Sequence, residues 1–559
     1  MTDAVNKARE RTAPAGRQPP PTDVAAAVPG QRHPSVFEPA TLALIVLLSL
    51  FGAAIGLQLV VTLGVTPNTS LIGVLAAMAL ARLPLGLFRR YRSIHVQNLA
   101  QSATAAATFG AANCLLVPMG VPFLLGRPDL VLPMFAGAFL AMLLDAYLLY
   151  RMFDSRVFPA TGAWPLGVAV AETIKAGDEG GRKVVLMGIG FAVGLAGAFF
   201  RIPMAAFGFA FLGNIWALSM FGIGLLLRGY SGTLADFAPF AAIVPRGDLM
   251  AAYVPHGVLI GASLVVIFEI ARVLLKPAAA AVESSGATSD AELRRSLGFG
   301  TVCYLAIAAL IAAIGGMMSE MSPGMLILFV LYAPFAAYVH ELIVGLAAMH
   351  SGYFPAFAVA LVTLIIGIMI GFPVPALALL AGFSVATGPA FADMGFNLKA
   401  GHILRGGGAD PAFEREGRLQ QLIAGMFGFV IAGIMVLVTH QMFFGQNLVP
   451  PVDKVYAATI LAGVTPGVAW QLFFWAIPGA ILQLAGGPKR QIGVLFATGL
   501  LIASPLAGWA VAVAITVRLI WRRLRGPDSE SDMQVFAAGA IAGDVLFSLF
   551  DAVIKSVRR

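Results

Sequence analysis

Apolar residues fill this chain in long blocks, with neither the alternation of a strand nor the one-sided stripe of a soluble helix, and polar residues gather between the blocks. The hydrocarbon core of a bilayer is ~30 Å thick, so ~20 apolar residues in a helix cross it. Thr41–Val65, Leu71–Leu87, Ile94–Gly126, Val131–Phe153, Val184–Ile202, Met204–Leu227 and Tyr253–Leu275 read as spans in the first part of the chain. Ser296–Met318, Leu326–Met349, Arg418–His440, Pro466–Leu484 and Met533–Val553 read as spans in the second, with Pro355–Ile370 and Phe372–Thr387 as a close pair. Ile492–Trp521 is broken at Pro505 and is either one tilted helix or a tight pair. Tyr230–Arg246 is short and interrupted, a re-entrant segment or a surface loop, and Val455–Val464 is another short apolar piece. Phe391–Leu404, carrying Asp393, Asn397, Lys399 and His402, reads as a polar interruption. The pattern predicts an all-α polytopic transmembrane bundle of about 13 to 16 spans, with short re-entrant or broken helices among them.

One stretch departs from this rhythm. Trp164–Gly181 lies between long apolar blocks but is itself too short to cross: Pro165 can start a helix, Gly177, Gly180 and Gly181 can end it, and about 12 helical residues rise only ~18 Å. Small residues at Gly167, Ala169, Ala171 and Ala176 allow close backbone approach, and Glu172 stands among them. A broken helix with an ionisable side chain between spans supplies helix ends and unwound backbone to a substrate or ion. An amphipathic loop helix with Glu172 and Lys175 in solvent gives the same pattern.

Other polar residues inside apolar blocks are candidates of the same kind. Asp145 sits in the inner half of its span, where an isolated charge costs ~3 kcal/mol or more, so it must face protein or water. His340 and Glu341 interrupt another span; neighbours on a helix point ~100° apart, which argues against one shared metal and leaves a proton relay or a polar helix face. Val96 to Ser102 is polar on several faces and rich in small residues, which suits close packing inside a bundle.

Composition narrows the class. Of 559 residues 59% are hydrophobic and 11% charged, against about 25% charged in soluble domains. The net charge of +8 is concentrated in the amino-terminal tail, short connecting segments and the carboxyl end, which is a topology signal and not a nucleic-acid footprint. Arg89, Arg90 and Arg92, and Arg405, Arg415 and Arg418, mark cytoplasmic segments and place the amino terminus inside. Residues 1–37 read as a disordered cytoplasmic tail, 38–275 as a first transmembrane half, 276–296 as a Pro/Ala/Ser-rich linker and 297–559 as a second half. Cys114 and Cys303 lie inside spans as small core residues. No nucleotide-binding loop, Cys-x-x-Cys pair or zincin motif occurs, so neither a cofactor nor a bound structural metal is expected.

Four stretches carry a resemblance. Pro165-x-Gly167-x-Ala169-x-Ala171-Glu172, followed by Gly177 and Gly180-Gly181, resembles the Pro-x-Gly-x-Ala-x-Ala-Glu signature of the oligopeptide transporter family, which includes the yellow stripe-like metal-chelate carriers. Val96-Gln97 with Ser102 and Pro118 is similar to its Val-Gln-Thr helix, and Leu398-Lys399-x-Gly401 with Gln420-Gln421 to its Asp-Leu-Lys-Thr-Gly loop and glutamine helix. Ala538-Gly539-Ala540-Ile541-Ala542-Gly543-Asp544 looks like its closing helix. Departures are Asn397 for Asp, Asp544 for Glu, Ala400-Gly401-His402 for Thr-Gly-Tyr, and His340-Glu341 where an Asn- and Ser-Gly-rich motif usually stands.

The resemblance implies a bacterial-type secondary transporter of the inner membrane that imports small peptides or metal chelates with protons, and no enzyme. Glu172, with Asp145 and Asp544 behind it, is the candidate for proton coupling. Gln97, Asn98, Trp164, Gly167, Lys399, His340 and Glu341 are candidates for substrate contact, the helix start at Trp164–Pro165 offering its positive end to a carboxylate. The expected partners are the cargo, protons and lipid. A passive channel and, more remotely, a membrane-embedded lipid-modifying enzyme are the rival classes.

Overall fold

The computed structural model describes residues 32–63, 73–74, 77–78, 90–236, 244, 248–275, 288–352, 356–463, 467–487, 490–526 and 529–557. Most of the expected span Leu71–Leu87, most of the tail at 1–37 and most of the linker at 276–296 lie outside these residues. Helices follow in the order α1 (Pro39–Leu63), α2 (Ile94–Leu124), α3 (Val131–Met152), α4 (Pro165–Glu179), α5 (Gly181–Phe199), α6 (Met204–Leu212), α7 (Ile215–Gly229) and α8 (Val254–Leu275). They continue with α9 (Asp290–Ile314), α10 (Pro323–Ser351), α11 (Ala356–Ile370), α12 (Val374–Ala386), α13 (Pro389–Leu404) and α14 (Pro411–Gly445). The chain closes with α15 (Pro451–Ala462), α16 (Val468–Gly486), α17 (Ile492–Leu501), α18 (Pro505–Arg525) and α19 (Glu530–Val557). Among the described residues ten helices are long and apolar enough to cross a membrane, with α12 and α13 read together as one, and four shorter apolar helices accompany them.

Local chemistry sets the boundaries. Ser322 before Pro323, Asp410 before Pro411 and Ser504 before Pro505 each accept a hydrogen bond from an amide of the first turn, where proline gives up no needed donor. The block from Met204 to Leu227 is therefore not one span: the Asn214 side chain accepts from the amides of Trp216 and Ala217, starts α7, and splits it from α6. The stretch Phe391–Leu404, expected as an interruption, is instead the helix α13, buried continuously from Pro389 to Gly401. Its polar residues find partners inside the protein, Asp393 on Asn397 of the same helix, Asn397 on Gln101 and Gln421, and Lys399 on Ala160 O.

Helices sort by what they face. The joined span α12–α13 is buried inside the bundle over nearly its whole length, whereas α5 buries few residues and turns most of its surface outward. What little α5 buries is Gly190, Gly194 and Ala198. Those glycines lie against α19, where Gly539 and Gly543 return the contact, and in the same way Gly257 and Gly261 of α8 back onto Leu472 O and Ala476 O of α16 while Gly479 of α16 backs onto Val258 O. Both are small-residue seams of the kind that replace hydrophobic driving force between helices in lipid. Each joins a helix from before the 276–296 segment to one from after it.

Candidate functional site

The site grows from a discontinuity. Between α12 and α13 stand Thr387 and Gly388, and Gly388 has φ +87°, a conformation that suits a residue without a side chain. A Cβ there would also meet His340 Nδ1 at 2.8 Å. Pro389 then starts α13. The break leaves first-turn amides pointing at a neighbour, and Gly388 N donates to Asp145 Oδ2 of α3 at 2.6 Å. Asp145 is thus an acceptor at the positive end of a buried half-helix.

Two further residues complete this end. Tyr304 of α9 hydrogen-bonds Asp145 Oδ1, and its Oη lies 2.6 Å from Glu341 Oε2 of α10. All three side chains are fully buried. Beside them His340 holds Ala356 O through Nε2 at 2.6 Å and Thr387 Oγ1 through Nδ1 at 3.2 Å, and the Cys114 sulfur of α2 accepts from the backbone amide of Ala390. Cys114 lies in a π-helical stretch, Gly110–Leu116, in the middle of α2. Such bulges lie where a helix gives up regular spacing to shape a site.

From the break, α13 carries a line of polar contacts to its far end. Asn397 Nδ2 donates to Asp393 Oδ2 at 2.9 Å, Gln101 Nε2 donates to Asn397 Oδ1 at 2.6 Å, and Gln421 Nε2 donates to Asn397 O at 2.6 Å. Arg405, at the end of α13 and fully buried, donates to Gln421 Oε1 at 2.8 Å and to Glu414 Oε2 at 2.7 Å. Glu414 also accepts from Arg418, which reaches Asp154 at 3.3 Å. Glycines make the room: a Cβ on Gly401 would sit 2.0 Å from Gln421 Oε1 and one on Gly417 2.4 Å from Arg405 Cδ. Among the described residues the side-chain amide of Asn98 on α2, Asp393 Oδ1 and Glu341 Oε1 are buried without hydrogen-bond partners.

Helix α4 lies directly on α13. Trp164 has φ +40°, donates its amide to Met349 O at 2.8 Å, and stands fully buried among Phe153, Phe158 and Phe396. Its ring occupies the space a Cβ on Gly395 would need. Gly167 in turn backs onto Phe396 O and the Lys399 stem, and Lys399 Nζ donates to Ala160 O at 2.8 Å.

The residues singled out in the sequence therefore fall into separate groups. Asp145, His340 and Glu341 meet at the break; Trp164, Gly167 and Lys399 meet at the α4–α13 contact. Gln97 and Asn98 lie on α2, where Gln97 Nε2 donates to Tyr91 O at 2.9 Å. Glu172 stands apart, buried and paired with Lys175 at 3.3 Å. Asp544 accepts from Ala205 N at 2.7 Å at the start of α6, so it satisfies a helix end there. Sequence reasoning passed over Tyr304, Gly388, Gln101 and Arg405. Gly388 had a signal, the triplet Thr387-Gly388-Pro389, which ends one helix and starts another. Tyr304 had none beyond being a tyrosine in an apolar span.

A multi-span helical bundle whose most buried span is interrupted inside the protein and lined with carboxyl, amide and guanidinium groups has the architecture of a membrane transporter. The chain belongs to the OPT oligopeptide transporter family, whose profile matches residues 39–276 and again 250–555. No curated protein matches it significantly. It is a multi-pass membrane transporter.

Proposed function

We propose that this transporter is a secondary carrier that imports small peptides or metal chelates across the plasma membrane in exchange for the energy of a proton gradient. The observation that carries the reading is the interrupted span: non-helical backbone at Thr387–Gly388 is enclosed by protein and faces acids with no ion-pair partner among the described residues. A cargo carboxylate suits a helix amino terminus, and the side-chain amide of Asn98, without a partner among the described residues, and the Lys399 ammonium supply polar contacts. The end of α13 carries Arg405, joined through Glu414 to Arg418 and from there to Asp154, and this basic side is assigned to the cytoplasm together with the amino terminus. There the segment before α1 docks, Val36 N donating to Gln420 Oε1 at 2.8 Å.

Reconstituted vesicles test it. With acid outside, a labelled di- or tripeptide or a ferric chelate accumulates; a protonophore abolishes the accumulation, and preloaded unlabelled cargo drives counterflow. Equilibration without counterflow and without response to the gradient makes the protein a channel and overturns the reading.

A further inference from the structure

We infer that Asp145, Tyr304 and Glu341 form one shared-proton site, with the proton resident on Glu341, and that this site latches the α12–α13 break through the amide of Gly388. The inference rests on the transport reading and names the group that reads the gradient.

The argument is an inventory of hydrogens. A tyrosine hydroxyl has one hydrogen to donate and lone pairs to accept with. Tyr304 Oη lies within hydrogen-bond distance of a carboxyl oxygen on each side, Asp145 Oδ1 and Glu341 Oε2. Two ionised carboxylates are acceptors only, so one hydroxyl cannot serve both; one acid must carry a proton and donate it to Oη. Gly388 N decides which. Its amide donates to Asp145 Oδ2, so Asp145 accepts at both oxygens, once from Gly388 and once from Tyr304, as a carboxylate does. Among the described residues Glu341 has no second donor to hold it as a carboxylate: its Oε1 has no partner and its Oε2 meets Tyr304 Oη alone. The bonding is complete when Glu341 Oε2–H donates to Tyr304 Oη and Tyr304 O–H donates to Asp145.

The surroundings favour a single charge. Among the described residues the other titratable groups packed around the triad are Tyr338, which donates to Leu297 O, His340, bonded to Ala356 O and Thr387, Cys114, Cys303 and Asp393. None is a lysine or arginine, so a second buried carboxylate would have no counter-ion. The charge that remains sits on Asp145, against the amino terminus of α13.

The same geometry gives the proton a route. Glu341 Oε2 passes its hydrogen to Tyr304 Oη while Tyr304 passes its own to Asp145 Oδ1; Glu341 becomes the carboxylate, Asp145 the acid, and Tyr304 is neutral before and after. Asp145 then no longer holds Gly388 N–H as an ionised acceptor, and a charge-assisted hydrogen bond becomes an ordinary one. The bond that weakens is the one at the interruption of the span. Relocation of the shared proton onto Asp145 and loosening of the break are thereby the same event.

The test uses the full chain in liposomes and in infrared difference spectroscopy. Glu341→Gln keeps a neutral donor of the same shape, so the wild-type-minus-E341Q spectrum at neutral pH contains the carbonyl stretch of a protonated carboxyl, and gradient-driven accumulation is lost in E341Q while exchange remains measurable. A difference spectrum without that band, or an E341Q that accumulates cargo as the wild type does, overturns the site. Should E341Q fail to fold, Asp145→Asn asks the question from the other side: the band survives in D145N, and its disappearance there places the proton on Asp145 and overturns the assignment. A wild type that shows no gradient-driven uptake sinks the transport reading instead, and is told apart by that control.

Discussion

Placing a methyl group on Gly194 separates two helices whose buried contact is a seam of small residues, flanked by the Arg182–Asp532 ion pair and the Phe199–Phe547 ring contact. A Cβ at this position would lie 2.1 Å from Ala540 O and 2.8 Å from its Cα, both backbone atoms that cannot rotate away. Gly190 meets Phe536 O at 2.1 Å, and Gly539 and Gly543 meet Met187 O at 2.1 Å and Phe191 O at 2.3 Å. Every level of the α5–α19 seam is closed to that degree, so Gly194→Ala must part the helices by roughly 1 Å, an overpacking that costs about 1–3 kcal/mol. The loss is not recovered elsewhere, because α5 buries only Gly190, Gly194 and Ala198. Gly188, on the same helix, has no atom within 4 Å of its would-be Cβ. Gly188→Ala adds helix propensity worth up to ~1 kcal/mol and no clash. The two substitutions are the same chemical change six residues apart with opposite expected signs. Thermal unfolding of the purified protein in detergent, followed by the loss of the monodisperse peak, reads both. If G194A and G188A shift the transition in the same direction, the seam does not hold α5 and the small-residue argument is wrong.

Arg405→Lys leaves the charge but not the fork: one ammonium cannot replace the bonds to Gln421 Oε1 and to both oxygens of Glu414, and each buried acceptor left bare costs ~1–3 kcal/mol. A thermal transition of R405K equal to wild type refutes this. His33, which lies before the first span, is buried against His95 and Phe413, and burial together with the nearby Arg405 guanidinium lowers it from 6.5 to about 4. Because the folded value is the lower one, its contribution is complete above pH 6.5 and is lost as the pH falls toward about 4. His33→Gln removes that part of the acid sensitivity, while His95 and Glu414 titrate in both proteins; wild type and H33Q that lose stability in parallel over this interval contradict it.

The spans were legible because lipid and a long apolar block leave the backbone one choice. So were many of their ends, since Pro323, Pro411 and Pro505 each follow a side chain that caps the turn. The helix α4 begins at Pro165 and ends before Gly180 as its punctuation indicates. What could not be read is α13. Asp393, Asn397 and Lys399 look like water-facing residues until their partners are known, and those partners, Gln101, Gln421 and Ala160, come from distant parts of the chain. Polarity in a sequence marks a need for hydrogen bonds, not the place where they are found. Glu172 illustrates the converse. It lay in the most distinctive motif, yet its partner is Lys175 in the next turn, while Asp145 and Glu341, with no motif around them, converge on a tyrosine no spacing rule connects to either.

That convergence gives α13 a particular mechanical position. It is a rod of 16 residues, about 24 Å long, with the Gly388 amide at one end and the Arg405 guanidinium at the other. Each end is held by acids on other helices, Asp145 at the break and Glu414 near the basic side. Between them the rod is seated by Trp164 on Gly395 and by Gln421 on Gly401, contacts that only glycine permits. A helix cannot shorten, so a movement that frees one end must carry the other end and the Trp164 seat with it or stay within the slack of both. Release at Gly388 alone opens the break toward one side; release at Arg405 opens the other. On the proposed mechanism the shared proton selects the first, and the buried Arg405–Glu414 pair resists the second, so the same rod that joins the two ends also keeps them from opening together.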